Sequence, residues 1–446
     1  PYATQLPPHR RPGRPLLPVA LALLALLTAG CASQVRELMP TPAIFHEPGA
    51  QEIFATVPEA RRGHIVDLLY ITDRAPDPTP QPQLPYGQQR SRQIAFGAAE
   101  VALLPAMDWQ ELTHQSLADP RKQPIELRLV STRELGTYPL EPYPLQRKTG
   151  GSARDPIVME WHRRSNAALQ AEVARRLAEA PSGEVMLYVH GFNETFATAA
   201  YTAAELCHFF GRTHLCSFFT WPAASTGNPL TSYASTTESA QYSVGHLKKA
   251  IRTIARTPGV QRLHLLAHSR GTALLLYALR ELSLEAVANG EDPADAFKFG
   301  HWVLMSPDID AQVASQQLEI FASDPDLLTN WHAPVLPRFL HGRLTIYTSP
   351  EDRALKLSKF LFRSTDRVGQ LKPEDISPAT QAYFATTGNV DIIVYEGRRT
   401  DPFGHSYFTS NPRVSADLVE LVRNGTPPGA PGRPLIRRGK VTWELE

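Results

Sequence analysis

From residue 184 onward the chain alternates between short apolar runs and longer segments with helical spacing. The runs are "EVMLYVHG" (184–191), "LCSFFTW" (215–221), "RLHLLAH" (262–268), "KFGHWVLMS" (298–306), "GRLTIYTS" (342–349) and "NVDIIVYEG" (389–397). They are too short for core helices and lack the polar alternation of a strand with one wet face, so they read as strands buried on both sides. Between them lie helix-like stretches: one closed by Gly211, one over 236–256 with Val244, Leu247, Ile251 and Ile254 at spacings of three or four, "SRGTALLLYALREL", and "SADLVELVRNG", which stops at Gly425. Such alternation predicts an α/β architecture, a mostly parallel, doubly wound sheet with helices on both faces. Upstream, "HIVDLLYITDRAP", "RQIAFGAAEVALLP" and "PIELRLVSTREL" read as extra strands, 72–92 as a Pro/Gln-rich loop, and 156–179 as a helix.

A sheet of this kind presents its chemistry just beyond the carboxyl ends of its strands. Ser269 stands there in "AHSRG", with a strand before it and a helix after it. Ala267 and Gly271 are small enough for strand and helix to pack closely around a sharp turn, which is what a nucleophile elbow needs. The competing reading makes Ser269 a helix cap. "VHGFN" (189–193) ends an earlier strand and offers backbone N–H groups for a developing oxyanion. The amide of Phe192 and that of Arg270, directly after the serine, are the candidates, with His190 organising the loop. Asp352, after the 342–349 strand, is the candidate acid; Asp308, one strand earlier, is the alternative. His405 follows the last strand and completes the order Ser, Asp, His. In this scheme His405 takes the proton of Ser269 as it attacks a carbonyl, Asp352 steadies the imidazolium, and water later releases the acyl group. No cofactor or metal is expected.

The beginning of the chain sets Arg10, Arg11 and Arg14 before an apolar stretch and small residues, the layout of an export signal. The uncharged run from Pro15 to Gly30 has 16 residues, short of the roughly 20 that a spanning helix needs. "LLTAGC" (26–31) resembles the lipobox of bacterial lipoproteins, which implies a lipid on Cys31 and an envelope location, with Ala32 and Ser33 compatible with the outer membrane. The expected organisation is a signal over 1–31, a flexible linker over 32–62, a catalytic domain over 63–425 with a cap segment at 309–341, and a Pro/Gly-rich tail over 426–446. Cys207 and Cys216 remain, as buried thiols or as a disulfide that an exported compartment permits. Zinc held with His208 and His214 matches no standard ligand spacing. Lys plus Arg number 45 against 44 Asp plus Glu, so no nucleic-acid partner is indicated.

"VMLYVHGFNETF", "FFTWPAASTGNPLTSY", "LLAHSRGTALLLYAL", "VLMSPDID", "IYTSPEDRALKLSKFL" and "GHSYF", with "YITDR" and "FGAAEVALLP" upstream, resemble in this order the bacterial α/β-hydrolases long catalogued as a domain of unknown function. The resemblance covers about residues 65–425 and implies an α/β-hydrolase fold with a serine nucleophile, several members looking like esterase or lipase lipoproteins; it implies much less about substrate, and an acyl ester is the substrate class expected here. Arg270 departs from the family's usual methionine after the serine. A thioesterase or amidase on the same triad, or an inactive envelope binding module on the same fold, are the alternatives; oligomeric state is not indicated.

Overall fold

The computed structural model describes residues 36–49, 52–81, 84–223, 229–319, 339–362 and 366–445. Its strands are β1 (Arg36–Glu37), β2 (Ile65–Gln81), β3 (Leu84–Leu104), β4 (Glu126–Thr137), β5 (Leu145–Lys148), β6 (Gly151–Arg154), β7 (Glu184–Val189), β8 (Leu215–Thr220), β9 (Arg262–His268), β10 (Phe299–Met305), β11 (Leu344–Thr348), β12 (Val390–Tyr395), β13 (Ile436–Arg437) and β14 (Thr442–Leu445). Twelve of them form one sheet in the order β1-β4-β3-β2-β8-β7-β9-β10-β11-β12-β14-β13, and β5 and β6 form a separate hairpin. From β2 across to β14 every neighbouring pair is parallel; β3, β4, β1 and β13 are antiparallel additions at the two edges.

The six apolar runs of the sequence are β7 to β12, and nearly all their residues are buried. Their side chains alternate between two cores. Leu187, Leu265 and Ile346 face helices α1 (Pro156–Leu177), α3 (Pro229–Ala255) and α4 (Arg270–Ala288). Met186, Tyr188 and Leu266 face α2 (Phe196–Phe209) and α6 (Pro412–Asn424). Local chemistry sets the helix ends. Thr195 and Thr198 form a capping box at the start of α2, Asn411 and Pro412 open α6, and Gly425 ends it at φ 62°, where a side chain would be strained.

Strand order fixes where chemistry can occur. The chain steps from β7 to β8 on one side, then crosses back to lay β9 on the other side of β7. Connections leaving β7 and β9 therefore diverge and leave a crevice outside their carboxyl ends.

Three expectations about organisation are corrected. The segment 32–62 is not a flexible linker from Arg36 onward: Leu38, Met39, Phe45, Phe54 and Val57 are buried, and burying side chains of this kind is worth about 1.5–3 kcal/mol each. The segment 426–446 is not a loose tail, because β14 extends the parallel sheet beside β12 and the buried Arg433 guanidinium grips both oxygens of Asp417, at 2.7 and 3.0 Å. Of residues 72–92, read as a loop, 72–81 and 84–92 prolong β2 and β3 into a ribbon whose pairing shifts around Arg74 and Pro76. Prolines are tolerated there because a two-stranded ribbon leaves outward N–H positions that need no partner. The signal, Cys31 and most of the expected cap at 309–341 lie outside the described residues.

Candidate active site

Ser269 joins β9 to α4 with φ 53° and ψ −125°. A non-glycine residue held there costs on the order of 1–3 kcal/mol and persists only where its surroundings fix it. They do: its N–H donates to Met305 O at 2.9 Å, and its carbonyl accepts from Thr272 N–H, the Thr272 hydroxyl and Asp308 N–H at 3.1, 2.6 and 3.1 Å. The hydroxyl makes no capping bond to α4, so Ser269 is not a helix cap. The small neighbours are required by contact. A Cβ on Gly271 would lie 2.3 Å from His190 O and 2.8 Å from Val189 O, and one on Gly191 would lie 2.7 Å from Ser269 Cβ. The loop after β7 thus touches the elbow after β9, and the amides of Phe192 and Arg270 each lie one residue beyond that contact.

That loop is held rigidly. Asn193, at φ 59°, donates its N–H to Ala223 O at 2.7 Å. His190 is buried, stacks on Trp221, and accepts at Nε2 from the Trp221 N–H at 3.1 Å; its Nδ1–H then donates to Gly191 O at 2.9 Å. Burial and the neighbouring Arg74 hold its pKa well below the usual histidine value, so it stays neutral. The fully buried Arg74 underpins the loop by donating to Glu194 O at 2.7 Å and Thr220 Oγ1 at 2.8 Å. Its role was not legible in "YITDR", because its partners come from β8 and from the loop after β7.

His405 sits in the turn between β12 and α6. Its Nδ1–H donates to Asp352 Oδ2 at 2.6 Å, and Asp352 Oδ1 accepts the Leu355 N–H at 3.0 Å in the first turn of α5 (Arg353–Phe362). Asp352 is fully buried, and burial raises its carboxyl pKa against the pull of His405. For His405, burial opposes the charged ring, but the charge and hydrogen bond of Asp352 outweigh it and raise its pKa above the ordinary value. The His405 carbonyl accepts from Ser306 Oγ at 2.8 Å and from His268 Nε2 at 3.2 Å, so the turn rests on the residue just before Ser269. Asp401 shapes the turn by accepting the N–H groups of Phe403, His405 and Ser406 at 3.0–3.2 Å. Asp401 and Ser306 were missed from sequence. The Asp-Pro-x-Gly turn of "DPFGH" carried a signal for the first; Ser306, at φ 47° after β10, carried none.

Asp308 is directed elsewhere. Its carboxylate binds Tyr233 OH, Ser358 Oγ at 2.6 Å and the Arg270 guanidinium at 3.2 Å, with Arg367 at 3.6 Å. The Arg270 side chain also lies over the Tyr233 ring, which packs on Phe192 with centroids 5.1 Å apart. The charge that departs from the family's methionine is thus neutralised within a buried network.

Cys207 and Cys216 form a disulfide, Cα–Cα 5.9 Å, joining the end of α2 to β8, so neither is a metal ligand. Among the described residues, Glu184, His214 and His264 lie close enough to share an ion. Their protonation does not fit one. His264 Nδ1 accepts the His301 N–H at 3.1 Å, so Nε2 carries the proton and donates to Glu184 Oε2 at 3.1 Å, leaving no lone pair for a metal.

Residues 165–423, more than half of the chain, match the family model described as an alpha/beta hydrolase of unknown function (DUF900). The chain belongs to this family. The match begins inside α1, so β2, β3 and β4, with "YITDR", lie outside it. No curated protein matches the α/β-hydrolase described here.

Proposed function

We propose that this α/β-hydrolase cleaves acyl esters through an acyl-enzyme on Ser269, with His405 as base, Asp352 as its acid partner, and the amides of Phe192 and Arg270 receiving the oxyanion. The reading rests on one observation: a serine in a strained elbow at the crevice between β7 and β9, whose preceding residue His268 donates at 3.2 Å to the carbonyl of a histidine that is itself hydrogen-bonded to a buried carboxylate. His405 Nε2 accepts the hydroxyl proton as the oxygen attacks the ester carbonyl, and Asp352 stabilises the imidazolium and fixes its tautomer. The tetrahedral oxyanion is met by rigid N–H groups; losing one such donor costs roughly 3–4 kcal/mol of barrier in enzymes of this chemistry. His405 then protonates the leaving alkoxide, and water repeats the sequence to release the acid. The protein is further proposed to be exported and anchored by lipid on Cys31, facing the periplasm from the outer membrane.

Labelling with a fluorophosphonate tests the chemistry. Wild type should label and Ser269→Ala should not; well-folded wild type that fails to label would make the chain an inactive module. p-Nitrophenyl esters of graded chain length should turn over faster than matched amides, and cleavage of amides alone would overturn the ester assignment.

A further inference from the structure

The two-stranded hairpin β5–β6 stands apart from the main sheet, and nearly every one of its residues is exposed. A two-stranded ribbon without a core is marginal in water. Register pairs Leu145 with Arg154 and Arg147 with Ser152, and the two-residue period places Leu145, Arg147 and Arg154 on one face. At its base α1 begins, with Asp155 capping it through the Ile157 N–H at 2.8 Å. Leu145 is 66% exposed, Ile157 79% and Trp161 43%, three of the eight large apolar side chains that are exposed among the described residues, within one short stretch.

Charge is equally localised. From Leu145 to Arg164 there are five cations, Arg147, Lys148, Arg154, Arg163 and Arg164, and two anions, Asp155 and Glu160, a net charge of +3 in a chain whose total is +1. Among the described residues, no carboxylate pairs with Arg147, Lys148 or Arg154. Glu160 pairs with Arg163 and Arg164, and Asp155 takes the Gln146 amide at 2.7 Å. Exposed aliphatic and indole side chains flanked by cations are what an interfacial membrane contact requires: the apolar groups enter the headgroup boundary while the cations meet anionic lipid.

We propose that the hairpin β5–β6 and the first turns of α1 form a docking surface for an anionic lipid bilayer, a second membrane contact besides any lipid on Cys31. Docking involves no group of the proposed catalytic machinery and so stands independently of the hydrolase reading.

The test uses the full chain carrying Cys31→Ser, so that no acyl anchor contributes, in co-sedimentation with vesicles of phosphatidylcholine alone or with an equal part of phosphatidylglycerol. Binding is expected only to the anionic vesicles and should weaken as salt rises. Arg147→Glu/Lys148→Glu/Arg154→Glu should weaken it at least about tenfold, and Leu145→Ser/Ile157→Ser should weaken it as well. Both variants should keep the circular dichroism spectrum and urea unfolding midpoint of wild type, which shows that the fold is kept. Ser269→Ala should bind vesicles fully, separating docking from chemistry. Absence of binding to anionic vesicles, equal binding by the charge-reversed variant, or binding to DNA or heparin but not to vesicles would each overturn the proposal.

Discussion

The two edges of the parallel sheet carry similar chemistry to different ends. At the amino-terminal edge, His264 at β9 donates to Glu184 at β7 over 3.1 Å; at the carboxyl-terminal edge, His405 donates to Asp352 over 2.6 Å. Each is an imidazole against a carboxylate. They differ in the second ring nitrogen. His264 Nδ1 is occupied by the His301 N–H, so both nitrogens of this ring are engaged. Among the described residues, the ring of His405 is held only through Nδ1, which leaves Nε2 for proton exchange. Backbone strain does not separate the edges: Asn193, Ser269 and Ser306, all at positive φ, follow β7, β9 and β10, while Arg212 and Lys298, also at positive φ, precede β8 and β10. A histidine–carboxylate pair is thus structural or reactive according to what its other nitrogen meets.

The largest expected effect separates the two pairs. Asp352→Asn should lower kcat about 10⁴-fold by favouring the wrong tautomer of His405, whereas Glu184→Gln should leave kcat within about twofold, the change expected where no transition-state contact is lost. Steady-state kinetics on one soluble ester check both, and comparable losses in the two variants would erase the distinction.

Next in size is Gly271→Ala. The added methyl meets the backbone carbonyls of Val189 and His190, which cannot swing aside. Overpacking of this kind costs about 1–3 kcal/mol, and the displaced loop carries the Phe192 amide, so kcat should fall about 10²-fold as misplacement near 1 Å does elsewhere. Stability close to wild type with full activity would show that the elbow tolerates slack.

The acid dependence of kcat/KM is a smaller effect with a defined sign. His405 must be neutral to accept a proton, and its pKa is raised by Asp352, so activity should fall, as pH drops, from a point above the ordinary histidine value of about 6.5. Asp352→Asn should shift that limb to lower pH. An unshifted limb in the variant would separate His405 from the titration.

The parallel sheet, both cores and the order of the site residues were legible because each is written locally: apolar runs of strand length, a serine between small residues, a histidine after the last strand. What escaped was non-local. Phe45, Phe54 and Val57 are separated by polar residues in sequence, and only their docking on α2 makes them core. Arg433 sits among prolines and glycines that suggest a tail, while its partner Asp417 belongs to α6. Arg74 and Ser306 have no local signature, because the hydrogen bonds that define them span roughly a hundred residues or more. Asp352 and Asp308 both follow strands; Arg270 and Tyr233 engage one and His405 the other, a division that no spacing encodes.

The smallest expected effect concerns the stability of the amino-terminal edge. Burial opposes ionisation of Glu184, but the nearby His214 ring, at 3.3 Å, and the His264 N–H, at 3.1 Å, outweigh it and hold its pKa below the ordinary glutamate value. A depressed carboxyl contributes stability that is complete above its unfolded pKa, about 4.3, and is lost as pH falls through the folded value. In Glu184→Gln the amide oxygen can still accept from His264, but the bond to a charged acceptor is lost, so the variant should lose on the order of 1–3 kcal/mol near neutrality. That difference should hold down to about pH 5 and shrink below it, because wild type alone has the charge to lose. Urea unfolding of both proteins across this range measures it. A difference that grows as pH falls would mean that the two histidines are charged in the folded state.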